Sequence, residues 1–557
     1  MARYFKKRNS NKRRNADGFM SGVLVLSLST VIVKVIGLAY KIPMIAYLGA
    51  EGMGYFNSAY EIYAMLCVVA TAGLPVALSL LISANRERGA WDAVRRIDRS
   101  ATAIFLLLGG IGTLFLLLFA KPISKIIGNE QAFFSMLAIA PALFFVCFSS
   151  AIRGYFQGFQ KMLPTAISQL IEALGKLLFG IWFASIAIKR GMELPQIAAF
   201  AILGLSLGTL LSAAYLFLKK WIFQKSLKLN PEILPKPDGG DGLATLFRIA
   251  VPITLSSAVL GVTRLVDMAW ILRRLQDIGR TVSEANEIYG AYTTLAIPVF
   301  SLIPSLIAPI SMALVPQLSA AIARKSGDEQ ATLADRSIRL TTMLAMPAAM
   351  GIAVYSKPIL SILFSKETEA IEIAAPLLSV LGISILFSGL ITTTNAVLQS
   401  YRQAGKPMIS MAIGALVKMV LAYFLIGNPS IGIYGAPIST LLCDLTVTCI
   451  NLRFLGGIIP KSKRSEGVWQ VYYKPMIASV LAIFASVAVY LPIFYRMNSM
   501  ALAFFLALIV AVLVYAVFAV CFKIITAEDI AILPMGEKIL SLWRSFHKEK
   551  RKGKTEI

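Results

Sequence analysis

The chain is dominated by apolar runs of bilayer length. Fourteen can be marked, at about 19–47, 55–84, 100–120, 131–156, 163–188, 195–219, 244–272, 286–321, 338–364, 371–399, 407–427, 433–457, 473–494 and 499–523. Each supplies the roughly 20 residues that a helix needs to cross hydrocarbon. With no water there to satisfy backbone amides, segments of this length must be helices, and they are too long for the alternating strands of an outer-membrane barrel. Composition agrees: 57% of residues are hydrophobic, 15% are charged, and mean hydropathy is +0.74. The sequence therefore predicts an all-α polytopic membrane protein. The basic start ARYFKKRNSNKRR precedes a run too long for a signal peptide, which is read as an uncleaved first span.

The net charge of +25 is distributed by side. NRERGAWDAVRRIDR carries five arginines and KKWIFQKSLKLNPEILPK five lysines. With ARKSGDEQATLADRSIR, PKSKRSEG, KEKRKGK and the N-terminus, they fall on one side, while GAEGMG and GNPSIG on the other carry no lysine or arginine. AKPISK and IKRGME on that side carry two cations each, and the main exception is LRRLQDIGR, expected as an outside loop with three arginines. This bias predicts both termini in the cytoplasm and argues against nucleic-acid binding. The tail from Ile539, with Leu540, Leu542, Trp543 and Phe546 among basic residues, reads either as a helix lying on an anionic leaflet or as a solvated tail.

Two stretches repeat at an offset of 242. YFQGFQKMLPTAISQLIEALGKLL from Tyr155 matches VLQSYRQAGKPMISMAIGALVKMV from Val397, pairing Gln157 with Gln399 and Lys176 with Lys418. LPVALSLLISANRERG from Leu74 resembles VPQLSAAIARKSG from Val315 at a similar offset. Copies separated by an even number of spans share an orientation, which implies two pseudo-symmetric six-helix lobes related about the membrane normal, followed by two further helices. The expected divisions are a basic N-terminus (1–18), an N-lobe (19–219), a linker with Pro231, Pro235 and Pro237 (220–243), a C-lobe (244–457), a final helix pair (458–523) and a basic amphipathic tail (524–557).

Charges inside the runs are the candidate functional residues, since a central cation costs about 2.5–3.5 kcal/mol on insertion scales. Lys34 and Lys41 stand seven residues apart on one face, roughly 10 Å along the axis, with no acid nearby in sequence. Either they line a wet cavity as anion ligands, or they pair with Glu61 or Asp267, or Lys41 snorkels outward. Asn57 and Glu61 share the second run. Glu172 and Lys176 have the spacing of a helical ion pair, as do Arg264 and Asp267, and Lys418 and Asp444 are placed to pair across helices. These residues mark a cationic cavity between the lobes, lined by the first, second, seventh and eighth spans, with Lys34, Lys41, Arg264, Asn57 and Glu61 binding an anionic headgroup. Asp267, Glu172, Lys176, Lys418 and Asp444 are assigned to ion pairing or coupling.

Catalysis has little to work with. The only histidine is His547, in the tail. Cys67, Cys147, Cys443, Cys449 and Cys521 lie in or beside apolar runs as small packing residues, and no phosphate-binding GxxxxGK[ST] loop occurs. Neither a metal site nor a resident cofactor is expected.

RGYFQGFQKMLPTAISQLIE (Arg153 to Glu172), RRLQDIG, AIPVFSLIPSLIAPISMALVPQLS and LQSYRQAGKPMISMAIGALVK together resemble the SpoVB branch of the polysaccharide exporters, which is similar to the MurJ lipid II flippases within the multidrug/oligosaccharidyl-lipid/polysaccharide superfamily. The resemblance implies a MATE-like fold whose two lobes enclose a cavity with alternating access. Its substrate would be a polyprenyl-diphosphate-linked oligosaccharide, such as the peptidoglycan precursor lipid II, moved from the inner to the outer leaflet. It also implies membrane lipids and cell-wall synthesis proteins as partners and a coupling cation, Na+ or H+. Lys34 and Lys41 occupy the first-span region where such members hold diphosphate. Members carry arginines in the second and eighth spans, where this chain has Asn57 and Glu61 and an uncharged middle, and Arg264 is the substitute from the seventh. Two other readings remain open: a cation-coupled multidrug antiporter of the same superfamily, favoured by Glu61 and Asp267, and a membrane glycosyltransferase or ligase.

Overall fold

The computed structural model describes residues 2–226, 242–403, 405–460, 467, 469–522 and 524. Most of the expected linker and nearly all of the tail lie outside the described residues. Among those described, every regular element is helical. The first elements are α1 (Ala2–Thr71), α2 (Leu74–Glu87), α3 (Trp91–Ile126), α4 (Phe133–Gly158), α5 (Leu163–Lys189), α6 (Leu194–Ser226), α7 (Gly242–Asp277) and α8 (Val282–Ala291). A π-helical turn, Tyr292–Ala296, leads into α9 (Ile297–Ala323). Then follow α10 (Gly327–Leu363), α11 (Thr368–Ser400), α12 (Gly405–Ile426), α13 (Gly435–Gly456), α14 (Lys474–Met497) and α15 (Met500–Cys521). All five cysteines are free thiols.

Thirteen described segments are long and apolar enough to cross a membrane. The difference from fourteen lies at the start, where Leu28–Glu87 forms one segment of 60 residues. Its length, about 90 Å if straight, would cross hydrocarbon more than twice. Gly49, at φ +63°, breaks the helical geometry between the first two expected runs. A second break, at Ala72–Gly73, interrupts the run expected over 55–84. Gly73 approaches the Ala250 carbonyl so closely that any side chain would clash, and Pro75 supplies no amide hydrogen in the first turn of α2.

Contacts divide the chain into two compact units. The first comprises Met1–Leu302, Leu363–Leu377 and Met411–Cys443; the second comprises Ile303–Ile362, Leu378–Ser410 and Asp444–Ile557. In the second, Leu318, Ala334, Ile338, Leu390, Val397, Leu398, Leu455 and Val471 form a buried apolar cluster. There the Thr342 hydroxyl donates to the Val471 carbonyl (2.6 Å). In the first, α4, α5 and α6 pack through small residues: a methyl group added at Gly208 would lie 2.8 Å from the Glu172 carbonyl oxygen.

The repeat is visible in the backbone. α4 ends at Gly158 and α11 at Ser400, while α5 starts at Leu163 and α12 at Gly405. Between them, Gln160 (φ +59°) and Arg402 (φ +58°) hold the same left-handed position. Each amide there donates to the carbonyl three residues back, Gln157 (2.8 Å) and Gln399 (2.9 Å). The matched glutamines thus mark matched helix stops.

Two arginine-rich stretches expected as loops are partly helical. RRLQD closes α7, where Arg273 donates to the carbonyls of Lys125 (3.2 Å) and Ile126 at the end of α3. Arg274 donates to the Tyr423 carbonyl (3.2 Å) and lies 4.2 Å from the centre of the Tyr423 ring. These cations bind carbonyls in the last turns of two helices, Arg273 sharing that of Lys125 with the Gly128 amide, which explains a cluster that breaks the charge bias. α3 likewise starts at Trp91, inside the stretch expected as a loop, because Asp98 on its inner face pairs with Lys220 of α6 (2.7 Å).

Replacing Gly208 with valine should separate α5 from α6 and destabilise the protein by about 2 kcal/mol, the usual scale for overpacking. Valine at Gly110, where an added methyl meets nothing within 4 Å, should be close to neutral. Thermal unfolding of the detergent-solubilised variants measures the contrast.

Candidate functional site

Nine of the ten candidate residues line one cavity of about 730 Å³: Lys34, Lys41, Asn57, Glu61, Glu172, Lys176, Arg264, Asp267 and Lys418. Asp444 is not among its lining residues; it belongs to the second compact unit, where the Ser384 hydroxyl donates to it (2.6 Å). Every lining residue belongs to the first unit, including Lys418, which enters through the 411–443 segment. Arg153 lines the same cavity, so six cations face three carboxylates.

Each carboxylate–cation pairing differs from the one that sequence spacing suggests. Glu172 pairs with Arg153 of α4 (2.8 Å), not with its helical neighbour Lys176. The Arg153 guanidinium also donates to the hydroxyls of Ser168 (3.0 Å) and Ser212 (3.2 Å), so α4, α5 and α6 converge on it. Lys176 instead lies among the rings of Tyr40, Phe56 and Tyr60, at 4.9, 5.7 and 4.7 Å from their centres. Such a cage stabilises an ammonium through ring quadrupoles without neutralising its charge. Asp267 pairs with Lys418 of α12 rather than with Arg264 three residues before it. The sequence period missed these partners because helical spacing sees only one helix.

Lys41 donates to the Thr293 carbonyl (2.6 Å) inside the π-helical turn. Asn57 donates to the hydroxyls of Thr293 (2.9 Å) and Thr294 (2.8 Å). Lys41 is therefore held by a neutral carbonyl, which leaves its charge uncompensated by that bond. Lys34 and Arg264 are exposed on the cavity wall. The Gln169 side-chain oxygen, also on the wall, is buried without a hydrogen-bond partner among the described residues. Chemically the chamber is a polar, aromatic-lined recess with three positive charges in excess. It is suited to an anion bearing hydroxyls, and its volume is typical of pockets that enclose an organic ligand.

The family model for polysaccharide biosynthesis proteins matches residues 19–322, more than half of the 557-residue chain. The chain belongs to the polysaccharide biosynthesis protein family. A second model, MatE, matches 284–424. Stage V sporulation protein B of Bacillus subtilis is 26% identical over 448 residues, covering 80% of this chain and 85% of that protein. The lipid II flippase MurJ of the same organism is 25% identical over 423 residues, covering 72% and 76%. Among solved structures, a lipid II flippase MurJ in an inward closed conformation superposes with a TM-score of 0.69 at 15% identity, covering 90% of this chain and 99% of that one. The chain thus shares the fold of that flippase.

Within this member of the polysaccharide biosynthesis protein family, three cavity features lay outside the residues singled out for the site: Arg153, the aromatic cage and the Thr293 carbonyl. Arg153 carried a legible signal, since it opens the most distinctive motif of the chain. The carbonyl carried none, because a backbone oxygen exposed by a π turn leaves no residue-type signature.

Removing one member of the Lys418–Asp267 pair leaves a charge in a poorly solvated place. Asp267→Asn should cost about 2 kcal/mol, below the range for fully buried pairs because the two side chains keep 15% and 20% exposure. Adding Lys418→Met should restore most of the loss. A double-mutant cycle on thermal unfolding reads the coupling.

Proposed function

We propose that this protein is a transporter that flips a polyprenyl-diphosphate-linked oligosaccharide across the membrane, with lipid II as the leading substrate. The observation that carries the reading is the positive excess in a membrane-embedded cavity. Several sugars and a diphosphate cannot enter hydrocarbon unaided, and a cationic, hydroxyl-rich chamber replaces the water they lose. Lysine serves here as a point charge for phosphate, and arginine as a planar fork. Lys34, Lys41 and Arg264 are assigned to the diphosphate, and Asn57 and Glu61 to the headgroup around it. Glu172 and Asp267 are already engaged by Arg153 and Lys418, which disfavours a cationic drug as cargo. The names of the relatives, a lipid II flippase among them, point the same way, toward transport and away from catalysis.

In this reading the protein lies in the cytoplasmic membrane of a bacterium with both termini inside, as the basic loops favour. It works by alternating access, and cell-wall synthesis proteins take up the delivered lipid. An inside-negative potential drives an anionic headgroup outward: two charges crossing the full field gain about 4–5 kcal/mol per 100 mV. A coupling cation, Na+ or H+, would reset the empty carrier.

Lys34→Ala together with Lys41→Ala should lower headgroup translocation in proteoliposomes at least tenfold, since a hydrogen bond to a charged group contributes about 1.5–3 kcal/mol. Insertion and the unfolding temperature should be retained. Undiminished flipping of purified lipid II and of other polyprenyl-diphosphate sugars by the double variant would remove the assignment.

A further inference from the structure

A second cavity, about 530 Å³, lies in the same compact unit but shares no lining residue with the chamber. It is formed by the start of α3 and the ends of α4 and α6, the end of the bundle flanked by the basic stretches 86–99 and 219–225. On α3, Arg95, Asp98, Arg99, Thr102 and Leu106 follow one helical face. Asp98 is the only carboxylate among the lining residues, and Lys220 neutralises it at 2.7 Å, with side-chain exposures of 8% and 12%. Lys220 also lies 4.7 Å from the centre of the Tyr155 ring. The charges of Arg95 and Arg99 are therefore in excess, and both side chains are exposed at the rim. Beneath them, the Thr102 hydroxyl oxygen is buried and has no partner among the described residues.

The cavity changes character along its depth. Its rim carries the two arginines with Trp91 and Trp221, the aromatic type that settles at the headgroup level. Its floor is Leu106, Phe148, Ile152 and Phe217. Arg99 and Leu106 are seven residues apart on α3, about 10 Å along the axis, so the polar and apolar zones are spaced like a lipid headgroup and the start of its chains. Phe217 and Trp221 are 54% and 51% exposed on the outer surface of α6, so the cavity opens sideways, where acyl chains would lie.

We propose that this cavity holds one anionic phospholipid, its phosphodiester between Arg95, Arg99 and the Thr102 hydroxyl and its acyl chains against Leu106, Phe148 and Phe217. Basic pockets between membrane helices recognise anionic headgroups in this way, and the arginine fork suits phosphate oxygens. The bound lipid bridges α3, α4 and α6 through residues that do not line the chamber and takes no part in holding cargo. The assignment is independent of what the chamber transports.

The test is native mass spectrometry of the full chain in detergent, titrated with phosphatidylglycerol or phosphatidylcholine. The intact protein should retain one phosphatidylglycerol and discriminate against phosphatidylcholine. Arg95→Ala with Arg99→Ala should weaken that retention about thirtyfold, since each near-surface cation contributes roughly fivefold to anionic-lipid affinity. Leu106→Trp, which fills the floor and leaves both arginines, should also release the lipid. Unchanged unfolding temperatures in lipid-free detergent establish that the variants are folded. Equal retention by the double variant, equal binding of phosphatidylcholine, or retention by Leu106→Trp overturns the proposal. Stoichiometric displacement of the lipid by millimolar inorganic phosphate would identify a free-anion site and overturn it as well.

Discussion

The structure of the first compact unit depends on how charge is accommodated away from bulk water. An isolated ion moved into a medium like dry protein loses on the order of 20 kcal/mol of solvation, and several kcal/mol even after relaxation. Four arrangements appear around one chamber. Arg153 and Glu172 meet across α4 and α5 and add two serine hydroxyls. Lys418 takes Asp267. Lys176 takes three aromatic faces, and Lys41 a backbone carbonyl. The first two compensate charge with charge and hold helices together. The last two leave the positive charge largely available, which is what a transient anion site requires.

The internal repeat sharpens this contrast. Lys176 and Lys418 sit at equivalent positions, 242 residues apart, and both line the chamber. One is caged by rings and the other ion-paired. The backbone kept its symmetry, down to matching left-handed residues at Gln160 and Arg402, while the surroundings of the lysines diverged. A duplicated scaffold fixes where a charge stands, and its neighbours decide whether that charge anchors the structure or faces cargo.

Much of the fold was legible because hydrocarbon imposes a one-dimensional rule: length and apolarity suffice to mark a spanning helix. Nine of the ten singled-out charged and amide residues share a cavity for the same reason, since polar groups inside apolar runs are confined to the few wet places available. Their pairings were not legible. Glu172 and Lys176 have favourable spacing, yet Arg153 arrives from another helix with a planar fork and two supporting serines. The start of α3 and the end of α7 were hidden because their arginines resemble loop residues, and the contacts that mark these stretches as helix, Asp98 with Lys220 and the α7 arginines with carbonyls of other helices, come from residues far away in sequence.

The π-helical turn at Tyr292–Ala296 has a consequence of its own. A wider turn takes up an extra residue, so the side chains of α9 are offset from the phase that an unbroken α-helix would give them by about 100°. The phase slip frees the Thr293 oxygen for Lys41, and it also makes chain length at this point a constraint. Deleting one residue here would restore a regular spiral with α8 and α9 kept in phase, but would remove the wide turn that presents the Thr293 oxygen to Lys41. Natural variation should therefore exchange residue types within Tyr292–Ala296 more readily than it changes their number.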